Sequence, residues 1–183
     1  TEDAANVGSV NTALTTSGLL DGNENVSING AISVADINTL NGNTTGVITA
    51  VATQTDAASL ITLTTTNTDM ITVNMAASST SAGDLNTIDG KTGVAVNATS
   101  ISQLTGTATD ITAALSSAGI TTVTNGSLAV NVSGAASVAE INAINAIPII
   151  FMISIFCSPI KLFLGTEEKN SFSFSNFFIF FYK

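Results

Sequence analysis

The sequence predicts an α/β repeat solenoid with parallel strands, one short helix and one strand to each unit of about 21 residues. Three observations lead there. A ten-residue pattern recurs at 33–42, 81–90 and 137–146. Runs rich in Val, Ile and Thr follow most copies of it. Residues 1–147 contain no aromatic residue and no proline, which suits a narrow interior filled by Ala, Val, Ile and Leu, because a ring would overfill a repeating layer.

The three clear copies read Ser-Val-Ala-Asp-Ile-Asn-Thr-Leu-Asn-Gly from Ser33, Ser-Ala-Gly-Asp-Leu-Asn-Thr-Ile-Asp-Gly from Ser81 and Ser-Val-Ala-Glu-Ile-Asn-Ala-Ile-Asn-Ala from Ser137. Weaker copies are expected from Ser59, Ser100 and Ser116, and a degenerate one near Ser9. The leading serine is a helix N-cap, with Asp36, Asp84, Gln103 or Glu140 three residues on. Ser-x-x-Glu/Gln is a capping box, and Asp is a shorter stand-in. Ile37, Leu63, Leu85, Leu104, Ile120 or Ile141 follows the acidic position. Leu40, Ile88, Val123 or Ile144 comes three residues later, which puts both apolar side chains on one helix face. Asn41-Gly42 and Asp89-Gly90 then read as helix stops, since these residues tolerate positive φ.

Strands are expected at 26–28, 45–51, 70–75, 93–97, 110–115 and 128–132, where β-branched residues alternate. A helix this short and a strand this isolated are each marginal alone, so neighbouring units must stack. Crossovers between parallel strands favour a right-handed path. An all-β parallel β-helix, with Ser-x-x-Asp as a mere corner, is the alternative reading.

Composition divides the chain at 146/147. All nine Phe, the single Tyr, the single Cys157 and both prolines lie at or beyond Pro148. The tandem-repeat segment is therefore 1–146, and 147–183 is a hydrophobic Phe/Ile-rich tail outside it. Residues 147–165 are apolar over nearly a bilayer's width, but Pro148, Pro159 and Lys161 make a poor spanning helix. Three readings of the tail stand: a reading-frame slip near 146 in a gene fragment, a membrane anchor, and a structural cap.

The same composition narrows function. Only 9% of residues are charged, against roughly 25% in ordinary globular chains, so this is not an ordinary domain. With no His or Arg and one Cys, neither a disulfide framework nor a cysteine–histidine metal cluster is available. A net charge of −9 argues against nucleic acid as a partner. Nucleophilic catalysis lacks a partner base, and the acids Asp36, Asp84 and Glu140 are accounted for as caps. Asp21-Gly-Asn-Glu-Asn25 begins like a Ca²⁺ loop but lacks Gly at its sixth position and Glu at its twelfth, which is Ile32; it reads as a polar turn. Gly90-Lys91-Thr92 lacks the upstream glycine of a phosphate loop. Thr62-Leu-Thr64 and Thr122-Val-Thr124 could belong to an ice- or glycan-binding face, but threonine does not recur at one ladder position. Sequons at Asn25, Asn43, Asn97, Asn125 and Asn131 matter only in a glycosylating host. No catalytic, cofactor-binding or metal residue is assigned, and no cofactor is expected.

The copies at Ser33 and Ser137 resemble Ala/Thr/Asn-rich tandem repeats of very large secreted or cell-surface proteins of marine bacteria and cyanobacteria. The resemblance covers about residues 20–146 and brings no catalytic residue with it. It implies a non-catalytic extracellular structural or adhesive segment of a larger protein, with cell-surface or glycan contact. A solenoid module binding glycan, ice or calcium is the alternative function, and a polysaccharide-active enzyme a remote one. Membrane contact is expected only if 147–165 is genuine, and oligomeric state is left open.

Overall fold

A computed structural model describes residues 1–16, 21–122, 128–147 and, by backbone, 150–156. Among these residues the fold is mixed α/β, with every paired strand parallel to its neighbour. The all-β alternative is thereby set aside, since six α-helices are present among the described residues.

The chain opens with β1 (Glu2–Asp3), a 3-10 turn (Ala4–Asn6) and α1 (Val7–Thr15). Next come β2 (Val26–Ile32), α2 (Val34–Asn43), β3 (Ile48–Ala52) and the one-turn α3 (Ala57–Leu60). From there two short strands precede each helix: β4 (Met70–Thr72) and β5 (Ser79–Ser81) before α4 (Ala82–Asp89), and β6 (Val96–Ala98) and β7 (Gln103–Gly106) before α5 (Ala108–Ser116). The last such group is β8 (Ile120–Thr122), β9 (Leu128–Ser133) and α6 (Val138–Asn145), followed by β10 (Ile150–Phe156). The expected single strand to each helix is thus corrected to two over the second half.

Strand order is β1-β2-β3-β4 in one sheet, β5-β7-β9-β10 in another, and β6-β8 in a pair. A parallel bridge between Asn74 and Asn97 joins the β4 side to the β6 side. Register keeps apolar side chains in rows: Val26 lies beside Ile48, Ala50 beside Ile71, Val96 beside Ile120, and Leu104 beside Val130. Those eight are buried, and the core they share with the helices is wholly aliphatic apart from Met75. Burying one Leu or Ile contributes about 1.5–3 kcal/mol, so these rows outweigh the caps and turns that place them.

Each helix that reaches the core turns the same face inward. Val34, Ile37 and Leu40 are buried on α2; Ala82, Leu85 and Ile88 on α4; Ala108, Ile111 and Ala114 on α5. The 3.6-residue period places positions one, four and seven after the cap on one stripe.

Several sequence expectations are corrected. Ser59 lies inside α3, whose cap is Asp56. Ser100 lies in a turn, and Ser116 is the last residue of α5. Residues 110–115, expected as a strand, belong to α5, because Thr107 caps them and Ile111 and Ala114 face the core. Leu104 is in β7 and Ile120 in β8, not on helices. The Asn-Gly and Asp-Gly stops also differ. Gly42 lies within α2, and Gly90 ends α4 at φ −68°. Neither helix needs a left-handed residue, since α2 leaves directly into extended Thr44 and Gly90 closes α4 with a bond to the Asn86 carbonyl. Val123 lies outside the described residues.

Beyond the compositional break, β10 pairs along β9, with Ile153 beside Val130 and Ile155 beside Val132. Among the described residues no helix is long and apolar enough to cross a membrane. Residues 148, 149 and 157–165 of the candidate anchor lie outside them.

Candidate functional site

Six carboxylates, those of Asp3, Asp36, Asp56, Asp84, Asp110 and Glu140, stand at helix starts. Ser33 Oγ accepts from Asp36 N at 3.1 Å and donates to Asp36 Oδ2 at 2.6 Å. Ser81 Oγ accepts from Asp84 N at 3.3 Å. Ser137 and Glu140 form the full reciprocal box, Ser137 N donating to Glu140 Oε2 at 2.8 Å and Glu140 N to Ser137 Oγ at 3.2 Å. That backbone N–H, and then the Ser137 hydroxyl, hold the Glu140 carboxyl below its ordinary value. Gln103 makes no box with Ser100; its Oε1 accepts from Ser79 Oγ at 2.9 Å, across the β5–β7 pair.

Two caps escaped the sequence reading. Asp56 Oδ1 accepts from Ser59 N at 2.8 Å, and this backbone N–H is the main cause of the lowered Asp56 pKa. Thr107 Oγ1 accepts from Asp110 N at 3.1 Å and donates to Asp110 Oδ2 at 2.8 Å. The signal was present at Thr107, since Thr-x-x-Asp is the same arrangement as Ser-x-x-Asp.

A second set of polar side chains, also unremarked in the sequence, ties segments of the chain 20 to 26 residues apart. Asp69 is buried; its carboxylate accepts from Ile48 N at 2.9 Å and Thr66 N at 3.0 Å. Thr92 is buried; its hydroxyl accepts from Ile71 N and Val94 N, both at 3.0 Å, and donates to the Ile71 carbonyl at 2.8 Å. Thr44 donates to the Glu24 carbonyl at 2.7 Å, and Thr65 to the Lys91 carbonyl at 2.7 Å. Every buried side-chain N or O among the described residues has a partner. On the helix side, Asn38 donates to the Thr62 carbonyl at 2.9 Å and accepts from Thr64 N at 2.8 Å. Asn86, at the same position after its cap, donates to the Asp110 carbonyl at 3.0 Å.

The weighed motifs resolve into these roles. In Asp21–Asn25, Glu24 accepts from Asp21 N at 2.7 Å and Gly22 N at 3.0 Å, with Gly22 at φ +81°, so its carboxylate closes a turn. The Asp21 N–H is the largest cause of its lowered pKa. Gly90-Lys91-Thr92 supplies the buried Thr92 hydroxyl to strand entry. A Cβ at Gly93 would lie 2.6 Å from the Asn67 carbonyl oxygen, so this glycine is required by close backbone approach. The outward row Ser27–Thr49–Met70 is interrupted by Met70, so threonine forms no continuous ladder there. Thr122 is buried and Thr124 lies outside the described residues.

One concavity among the described residues is an open groove of about 470 Å³ between α1 and β2, lined by Glu2, Asn6, Val10, Leu14 and Glu24 among others. Glu2 there accepts from Asn6 Nδ2 at 3.4 Å. Glu2 and Glu24 line this groove together with the hydroxyl residues Thr1, Ser9 and Ser27. Among the described residues no group of three or more Asp, Glu, Cys or His is placed to hold a metal ion. No family model, no curated protein and no solved structure matches the chain.

Proposed function

We propose that the chain is a non-catalytic structural segment of a larger extracellular or cell-surface protein, in which residues 1–146 form a β/α solenoid that provides length and surface. The observation that carries this reading is the pair Asn38 and Asn86. Each stands five residues after a helix-capping serine, and each reaches the backbone of a residue 24 positions further along the chain. A side chain used in this way joins layers, and its recurrence is what a stacked architecture requires. The acids support the same reading, since Asp36, Asp84, Asp110 and Glu140 all sit in the first turn of a helix. The unit is nearer 24 than 21 residues on this account, because Ser100 and Ser116 begin no helix.

The composition and the resemblance of the Ser33 and Ser137 copies support the extracellular setting. The alternative of a glycan-, ice- or calcium-binding module is favoured by one observation, the polar turn at Asp21–Asn25 beside the α1 groove. Calorimetric unfolding of the whole chain with and without Ca²⁺ tests between them. The spacer reading expects the same unfolding temperature in both conditions, and a large rise with calcium overturns it.

A further inference from the structure

We propose that Asn29-Gly30 is a site of spontaneous deamidation in the folded chain, whereas Asn41-Gly42, the same dipeptide, is held inert by the fold. The reaction needs the backbone nitrogen of the glycine to reach the asparagine Cγ. A bond forms between them, the Cγ–Nδ2 bond breaks, and ammonia leaves. Water then opens the resulting succinimide to an aspartyl or isoaspartyl residue. The net change is water taken up and ammonia released.

The two sites differ in what holds the reacting atoms. Asn41 and Gly42 lie within α2, where each N–H points along the axis at the carbonyl four residues back. Asn41 Nδ2 also donates to the Thr64 carbonyl and to Thr64 Oγ1, both at 3.1 Å. Attack there requires breaking the helix and the bond to the next unit together. Asn29 and Gly30 lie where β2 and β3 lose register. Ser27 pairs with Thr49 and Ala31 with Val51, so residues 28–30 stand opposite Ala50 alone. Such an excess arches the longer strand and leaves its extra residues outside the ladder with β3, although Ile28 and Asn29 still stand beside Glu2 and Asp3 of β1. Asn29 and Gly30 are exposed, and the Asn29 amide has no hydrogen-bond partner among the described residues.

The glycine cannot be exchanged cheaply. Gly30 has φ +99°, and a Cβ there would lie 3.1 Å from the Ala4 Cβ. The backbone therefore requires at this arch the residue that leaves the preceding asparagine least hindered. Deamidation would place a new negative charge on the register partner of Asp3, whose carboxylate accepts from Ala5 N at 3.1 Å to start the 3-10 turn. Like charges on adjacent strands repel, so the N-terminal β1 contact is weakened.

The test is incubation of the whole chain in mildly alkaline buffer, native and in urea, with peptide mass spectrometry at both asparagines. In the native chain Asn29 is expected to lose its amide about tenfold or more faster than Asn41, since reaction at Asn41 awaits local opening. In urea the two rates should converge. Equal native rates, a faster Asn41, or a ratio unchanged by urea would each overturn the proposal.

Discussion

The adjacent helices α4 and α5 are built alike from sequences that look unlike. Residues 81–90 announce a helix, with a leading serine and two large aliphatic residues. In residues 107–116 the stretch 110–115 reads as a β-prone run. Yet Thr107 accepts from Asp110 N as Ser81 does from Asp84 N. The buried positions correspond one for one: Ala82 with Ala108, Leu85 with Ile111, and Ile88 with Ala114. The difference is one of volume at the third position. What recurs is an oxygen that accepts the N3 backbone N–H and an apolar stripe behind it, and Ser, Thr and Asp all supply that oxygen.

The largest effects should show whether the two helices are equally committed to the core. Leu85→Ala and Ile111→Ala are each expected to destabilise the chain by about 2–5 kcal/mol in urea unfolding, both side chains being fully buried. A loss at Ile111 much smaller than at Leu85 would mean that α5 docks only loosely, and the equivalence would fail.

A smaller effect sharpens the comparison at the helix exits. Thr92, after α4, is buried and accepts from Ile71 N, a buried donor. Ser117, after α5, is half-buried, accepts from Gly119 N at 3.0 Å and donates to Asp89 Oδ2 at 2.8 Å. Thr92→Val should cost about 1–3 kcal/mol by stranding the Ile71 N–H. Ser117→Ala should cost no more than about 1 kcal/mol, because water can replace its hydroxyl. Chemical denaturation of both variants checks the order.

The caps give the smallest and most discriminating set. Thr107→Ala should cost about 1 kcal/mol, and Asp56→Ala should lower the unfolding midpoint in the same direction. Ser100→Ala and Ser116→Ala, at serines that begin no helix, should stay within about 0.5 kcal/mol. Acid sharpens the same point. Glu140 and Asp56 have folded pKa values lowered chiefly by backbone N–H donors. Their contribution is therefore fully present above the ordinary carboxylate range and lost as pH falls through the lowered values. The unfolding midpoint of Glu140→Gln should fall less between neutral and acidic pH than that of the parent chain; an identical fall would remove Glu140 from the account.

Legibility followed residue chemistry. The copies at Ser33, Ser81 and Ser137 were readable because cap, acid and both apolar positions occur together. Five of the six expected strands form wholly or in part, since alternating β-branched residues carry their own signal. The α3 and α5 caps were missed because Asp56 and Thr107 break the serine pattern, and the Thr-rich α5 mimics a strand. Asp69, Thr92, Asn38 and Asn86 were illegible as bridging residues for a different reason. Their partners are 21 to 26 residues distant and make sense only once the units are side by side. The arch at 28–30 is likewise a property of two strands, invisible in one.

The bonds between units have a kinetic consequence. The ties that Thr44, Asp69, Thr92, Asn38, Asn86 and Thr65 make to a neighbouring unit close loops of 20 to 26 residues. Loop-closure entropy varies so slowly with length that the shortest and longest differ by only about 0.2 kcal/mol. Each step of assembly therefore faces nearly the same entropic barrier, wherever along the chain it begins. Such a molecule has no privileged nucleus dictated by distance. If residues 1–146 form the proposed solenoid, it should zip outward from whichever neighbouring pair forms first, and lengthening the stack should leave the rate of each step nearly unchanged.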